Sequence, residues 1–238
     1  MMDLSWLSAY GALLIAGLGT TLSLLALSAI FGFTLAVPVA LMRLSSRRLI
    51  SIPAAFYTSV IRGTPLLVQI YIFYYGLGSL FTMFPSIRAS FLWPYLREGY
   101  WYVVFALILS VAAYVGEILR GGLLSVPRGE IEAARAFGMT HWQVLIRVRL
   151  PRAIGFLLPT LAGETVMLLK STALASTVAV VDLLGAANLV RSQTFQIYSP
   201  LLLVATIYLG LTLVIETCFA QLKSDSVFNF HRHARKKP

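Results

Sequence analysis

Residues 4–42 read LSWLSAYGALLIAGLGTTLSLLALSAIFGFTLAVPVALM, 39 positions without one charged side chain. A helix crosses the ~30 Å hydrocarbon core of a bilayer with roughly 20 apolar residues, so this stretch holds a span with residues to spare. Working outward, Gly63 to Ile87, Gly99 to Gly116 and Ser192 to Ile215 are also free of charge, and Ala153 to Val181 is interrupted only by Glu164 and Lys170. The reading is an all-α integral membrane protein, one domain over 1–238. Its five transmembrane helices are expected at about 17–41, 54–80, 100–121, 155–179 and 197–221. Residues 4–16 are surplus to a perpendicular span and should either lie along the surface or extend the first helix outward. Asp3 sits where a secretory signal carries positive charge, and the apolar run far exceeds the ~7–15 residues of a signal core. This segment is therefore expected to stay in the mature protein.

Composition agrees. Of 238 residues, 58% are hydrophobic and 12% charged, against about 25% charged in a soluble domain, and the mean hydropathy is +0.82. The net charge of +10 would fit a nucleic-acid partner, but its distribution points elsewhere. Arg43, Arg47 and Arg48 follow the first span; Arg120, Arg128, Arg135, Arg147, Arg149 and Arg152 follow the third; Lys223, Arg232, Arg235, Lys236 and Lys237 follow the fifth. These regions hold 14 of the 19 basic residues, whereas the alternate connections hold only Arg88, Arg97 and Arg191. Basic loops favour the cytoplasm, which puts the N-terminus outside (periplasmic) and the C-terminus inside. The basic tail 222–238, with His231-Arg232-His233 and Lys236-Lys237, reads as a cationic anchor on anionic lipid. No nucleic-acid partner is expected. Trp93, Tyr95, Tyr100, Trp101 and Tyr102 suit an interfacial aromatic belt. The lone Cys218 excludes an internal disulfide and a Cys-based metal site.

The loop at about 125–151 carries the most information. Ser125 is placed to cap a helix with Pro127 in its first turn. The helix Glu130 to Phe137 then ends at Gly138, a residue type common just past a helix end. Thr140 and Gln143 form a capping-box pattern for a second helix, His141 to Leu150, closed by Pro151. In the first helix Ile131, Ala134, Arg135 and Gly138 fall on one side, a slim face suited to a groove on another protein, with Glu130, Glu132 and Arg135 at its edges. An interfacial helix on lipid is the competing reading. It suits the second helix better, where Trp142, Leu145 and Ile146 lie opposite Arg147.

Glu132-Ala133-Ala134, three residues, Gly138, nine residues, then Val148-x-Leu150-Pro151 resembles the loop signature of bacterial ABC-importer permeases, with Val148 where isoleucine is usual. Arg62-Gly63-Thr64-Pro65-Leu66-Leu67-Val68-Gln69 resembles the second-span motif of polar amino acid importer permeases. Ala113-Tyr114, Glu117-Ile118, Arg120-Gly121-Gly122 and Ser125-Val126-Pro127 resemble the end of their third span. Glu164 to Leu174 (ETVMLLKSTAL) is similar to span 4 of the M-type subunits of histidine and octopine/nopaline importers. The resemblance implies the transmembrane domain of a type I ABC importer in the bacterial inner membrane. It further implies a second permease subunit, a paralogue, and two copies of an ATPase carrying ATP and Mg, together with a periplasmic solute-binding protein. Glu132, Ala133, Ala134, Arg135, Gly138, Leu150 and Pro151 would be the ATPase-coupling residues. The chain has no G-x-x-x-x-G-K-[ST] phosphate loop, so it is expected to hold no cofactor and to borrow ATP hydrolysis from its partner.

Charges inside a span are costly enough to be functional candidates. Glu164 and Lys170 are six residues apart, about 9 Å of rise and roughly 120° of rotation, and should not pair on one helix. Glu164, Met167 and Ser171 share a face, flanked by Leu168 and Lys170, after Pro159 and Gly163. Glu164 is read as the acceptor of a substrate cation or α-ammonium group, with Met167, Lys170, Ser171 and Thr172 forming the rest of the pocket. The alternative is that Glu164 and Lys170 pair with charges on the partner permease. Arg62 either snorkels towards the inner surface or holds the helix break at Gly63-Thr64-Pro65 by bonding freed carbonyls. Glu117 and Arg120 at i, i+3 can pair, as a gate or a structural tie. Asp182 and Glu216 receive no role. Competing classes are an ion-coupled carrier or channel using Glu164 and Lys170 as a polar relay, and a membrane enzyme. The first has no use for the slim loop helix, and the second lacks any nucleophile–base pair or metal-ligand spacing within a span.

Overall fold

The structure, a computed structural model, describes residues 6–225. Asp3 and the tail from residue 226, with its histidines and lysines, lie outside the described residues. Among those described, every regular element is helical. Helix α1 (Trp6–Arg43) is continuous, about 57 Å long at 1.5 Å per residue, so residues before 17 extend the first span rather than lie beside it. Helix α7 (Gly99–Ser125) is the central post. Leu24, Ser28, Gly32, Ala36 and Ala40 of α1 are buried along one stripe at spacings of four, and α7 packs on it.

Glycines set the closeness of that packing. A Cβ on Gly32 would lie 2.6 Å from Val111 Cγ1 of α7, and one on Gly116 would lie 2.8 Å from Val39 Cγ1 of α1. In lipid the hydrophobic drive between helices is weak and van der Waals fit takes over, which favours small residues where backbones approach. Polar ties complete the contact. The Glu117 carboxylate accepts from Arg43 Nε of α1 and, at 2.8 Å, from Arg120 Nε, and Tyr100 Oη donates to Ser23 Oγ at 2.8 Å.

The second span departs from the expected single helix over 54–80. Helix α2 (Arg48–Gly63) and the segment from α3 (Leu66–Tyr71) through a π-helical stretch (Ile72–Leu77) to α4 (Gly78–Thr82) meet at 106°. Pro65 has no N–H and disfavours helical backbone in the residue before it; Thr64 is extended, with φ −113° and ψ 143°. The described helices therefore include four long and apolar enough to cross a membrane, and five if this bent pair counts as one span. Two short helices, α5 (Pro85–Arg88) and α6 (Trp93–Leu96), connect to α7, and the aromatic cluster lies here, Trp101 meeting Tyr95 and Tyr100 edge-on at 5.9 and 5.2 Å.

Beyond α7, Ser125 is not a cap. It is the last residue of α7, its hydroxyl donates to the Gly122 carbonyl, and α8 (Arg128–Ala136) starts after Pro127 without side-chain capping. The Gly138 stop is as expected: its φ is +77°, and the N–H groups of Met139 and Gly138 bond the carbonyls of Ala134 and Arg135, a Schellman closure. Thr140 and Gln143 make both bonds of the capping box at α9 (His141–Val144). Pro151 does not end that helix. A π-helical stretch, Leu145–Arg149, passes straight into α10 (Leu150–Ser171) and a 3₁₀ turn to Val178. The Leu150 N–H reaches back five residues to Leu145, and at this wide turn the missing N–H of Pro151 leaves no gap that breaks the rod. Pro159 and Gly163 do not interrupt it either.

Helix α11 (Leu183–Thr194) was not expected. Asp182 caps it, accepting from Gly185 N at 2.9 Å and Leu184 N at 3.3 Å, and the Leu183 N–H donates to Thr21 Oγ1 of α1 at 3.0 Å. Tyr208 of α12 (Tyr198–Asp225) points its hydroxyl at the same carboxylate from 3.5 Å. Asp182 is fully buried and ties α1, α11 and α12 together. Burial pushes its carboxyl above the usual range, while the Gly185 and Leu184 N–H groups pull the other way.

Candidate functional site

The bend in the second span opens the site. A helix broken at Pro65 leaves carbonyls without their usual donors, and in lipid each must be satisfied internally. Gln69 does most of this. Its Nε2 donates to Ile61 O at 2.7 Å, Thr64 O at 3.1 Å and Thr64 Oγ1 at 2.9 Å, while Thr64 Oγ1 donates to Val60 O at 2.9 Å. The expectation that the Arg62 side chain holds the break is thus corrected. Arg62 is exposed; its guanidinium lies 5.4 Å from the centre of the Tyr114 ring, and the Tyr114 hydroxyl approaches the Arg62 carbonyl at 3.4 Å. Stacking on an aromatic face suits a planar guanidinium. Thr64 and Pro65 serve the break itself.

Just past the break lies a cavity of about 250 Å³. Leu66 of α3 closes one side. Leu107, Ser110, Val111 and Tyr114 form one helical stripe of α7, and Glu164, Met167, Leu168 and Ser171 form the matching stripe of α10. Its walls are mostly apolar, with Glu164, Ser110, Ser171 and the Tyr114 hydroxyl as polar points, the usual make-up of a small-molecule site. Glu164 makes no hydrogen bond or ion pair with a described residue, and the Arg62 charge acts on it from beyond salt-bridge distance. Three of the five residues expected in a pocket therefore line one: Glu164, Met167 and Ser171. Lys170 and Thr172 do not. Lys170 is exposed outside the cavity, and Thr172 is fully buried, its hydroxyl bonded to Leu169 O at 2.7 Å. A relay from Glu164 to Lys170 within this chain is not assembled. Ser110 and Tyr114 were not among the expected pocket residues, Tyr114 being noted only in the third-span motif; their i, i+4 spacing inside an apolar span was the available signal.

Helix α8 is positioned by its own chain. Ala134 is buried and Ile131 packs against Leu123, Val126 and Ala153, while Arg152 of α10 holds Glu130 at 3.0 Å. The slim face expected to enter a groove is thus partly used up. What faces outward is Glu132, Ala133, Arg135, Ala136 and, 87% exposed, Phe137. Leu150 packs into the same internal cluster and Pro151 is half-buried, so both support the loop rather than display it. Trp142, Leu145 and Ile146 line an apolar groove with Val37, Leu41 and Leu119. Glu117 and Arg120 pair as expected, and Arg43 joins them.

Residues 28–224 match the family described as binding-protein-dependent transport system inner membrane component. The octopine transport system permease protein OccM of Rhizobium meliloti is 45% identical over 210 residues, covering 88% of this chain and 84% of that relative. The histidine/lysine/arginine/ornithine transport system permease protein HisM of Escherichia coli (strain K12) is 38% identical over 203 residues, covering 85% and 84%. A solved structure, the crystal structure of an amino acid ABC transporter with histidines, superposes with a TM-score of 0.79 at 34% identity, covering 95% of this chain and all of that one. Its likeness gives the helices the transmembrane fold of type I ABC importers. The chain belongs to the family of binding-protein-dependent transport system inner membrane components.

Proposed function

We propose that this chain is the permease subunit of an ABC importer that carries a basic amino acid or an amino-acid-derived opine across the bacterial inner membrane. The single observation that carries the reading is Glu164, a carboxylate with no partner among the described residues, in the wall of a cavity midway along a spanning helix. A charge there is costly unless something cationic meets it. The names of the relatives, which concern octopine and histidine, lysine, arginine and ornithine, support a cationic cargo.

The N-terminus lies outside and the C-terminus inside, by the placement of arginines and lysines. Glu132, Ala133 and Arg135 on the exposed side of α8, with Gly138 just past its end, meet a cytoplasmic ATPase, Phe137 being the most prominent contact, while the buried Ala134 lets the helix sit close on its own chain. A helix of this kind seated in a partner's groove is a recognised mode of docking. ATP and Mg sit on two copies of that ATPase. A second permease, a paralogue, completes the membrane pair, and a periplasmic solute-binding protein delivers the cargo. ATP-driven closure of the ATPases moves the loop helices, and the bundles rock around the cavity so that it opens to one side at a time.

The test is ATP-driven uptake of radiolabelled arginine, histidine and octopine by the complete complex in proteoliposomes, with wild type and Glu164→Gln compared. Normal assembly with lost or altered cargo preference is expected. Unchanged transport of all three by Glu164→Gln overturns the pocket.

A further inference from the structure

Gln69 takes over the break-holding role, one of the two expected for Arg62, and the placement of Arg62 points to another. It sits one residue before the kink, exposed, and is held there by two contacts with Tyr114, the ring beneath its guanidinium and the hydroxyl on its carbonyl. Tyr114 is itself a wall of the cavity, as is Leu66 four residues further on. In the α10 wall of the same cavity stands Glu164, which forms no ion pair with Arg62 although the Arg62 charge acts on it. A carboxylate thus stands in one wall of the cavity, and a guanidinium is seated against Tyr114 of another wall without itself lining the space. A planar guanidinium is the side chain best shaped to take a carboxylate through two parallel bonds.

Resting on the cargo reading above, we infer that Arg62 is a specificity-determining residue that receives the α-carboxylate of the substrate while Glu164 takes its positive charge. The substrate class follows: molecules carrying both a cation and a carboxylate a few ångströms apart, such as α-amino acids and their N-carboxyalkyl derivatives, and not simple polyamines. Tyr114 acts as a positioning residue, keeping the guanidinium from collapsing onto Glu164.

The experiment uses the purified complex of both permeases and the ATPase, without binding protein, so that the membrane site alone selects. Equilibrium binding of labelled arginine is compared with that of agmatine, which keeps the guanidinium but lacks the carboxylate. Wild type should prefer arginine by roughly tenfold or more, the scale of one charge-assisted contact. Arg62→Gln should bring arginine down to the agmatine level and leave agmatine unchanged, and Arg62→Lys should keep part of the preference. Should Arg62→Gln fail to assemble, Arg62→Lys and Tyr114→Leu carry the comparison, each narrowing the arginine-to-agmatine ratio. Equal loss of both ligands in Arg62→Gln, no loss of either, or no preference in wild type overturns the assignment. Glu164→Gln separates the two layers. If it weakens both ligands while the Arg62 variants change neither, only the role of Arg62 falls. If it too changes nothing, or wild type binds neither compound, the cargo pocket falls and this inference with it.

Discussion

Replacing Gln69 by leucine probes the helix break most directly. In an unbroken helix the Ile61 carbonyl would accept from residue 65, but Pro65 has no N–H, and Gln69 Nε2 fills that place at 2.7 Å and also serves Thr64 O. Leucine leaves both carbonyls without this donor. A buried polar group deprived of its partner costs about 1–3 kcal/mol, so the two together cost ~2–6. Part returns, because Gln69 Oε1 is itself buried without a partner and leucine removes it. The net is about 1–4 kcal/mol. At ~2–4 °C per kcal/mol for a chain of this size, the complex should melt several degrees lower. Size-exclusion recovery after heating steps, with Gln69→Asn as a shorter amide, measures the shift. Wild-type stability in Gln69→Leu would mean that the break draws its donors from elsewhere, and the account of this kink would be wrong.

Three further tests follow. Glu117→Gln leaves Arg43 and Arg120 sharing an amide in place of a carboxylate; since both arginines are partly exposed, ~1–2 kcal/mol is expected, and a double-mutant cycle with Arg43→Gln showing no coupling would deny the tie between α1 and α7. Gly32→Leu should abolish recovery of folded protein, because even a Cβ meets Val111 at 2.6 Å, whereas Gly11→Ala, which has open space around it, should behave as wild type; equal yields would contradict the close packing of α1 on α7. Asp182→Ala uncaps α11 and should lower stability by about 0.5–2 kcal/mol, with Asp182→Asn retaining most of it; thermal melts of the three proteins decide, and parity between Ala and Asn would show that capping contributes nothing.

The spans were legible because lipid demands long apolar runs, and α1, α7, α10 and α12 follow from that demand alone. The loop was legible at Gly138 and at Thr140 with Gln143, since these are local chemistry. Misreadings arose where a local rule met tertiary structure. Pro151 ordinarily stops a helix, yet a π-helical turn absorbs it. Ser125 resembles a cap, yet α7 runs through it. Helix α11 was hidden because nothing in the sequence gave Asp182 a role; it caps the helix while buried against α1 and α12. At the cavity, helical spacing puts Glu164, Met167 and Ser171 on one face, and they line one wall, but the α7 wall could not be found from one helix. Thr172 and Lys170, expected beside them by proximity in sequence, do not line the cavity.

That rod has a mechanical consequence. From His141 to Glu164 the chain is helical without interruption, so a segment touching the exposed loop and a residue in the cavity wall belong to one stiff lever about 35 Å long. Glu130 clamps the loop to its base through Arg152. If the lever pivots at its base by about 10°, the far end sweeps about 6 Å by the same geometry, comparable to the width of an amino-acid side chain. No chain of intermediate contacts is needed to carry a push from one end to the other.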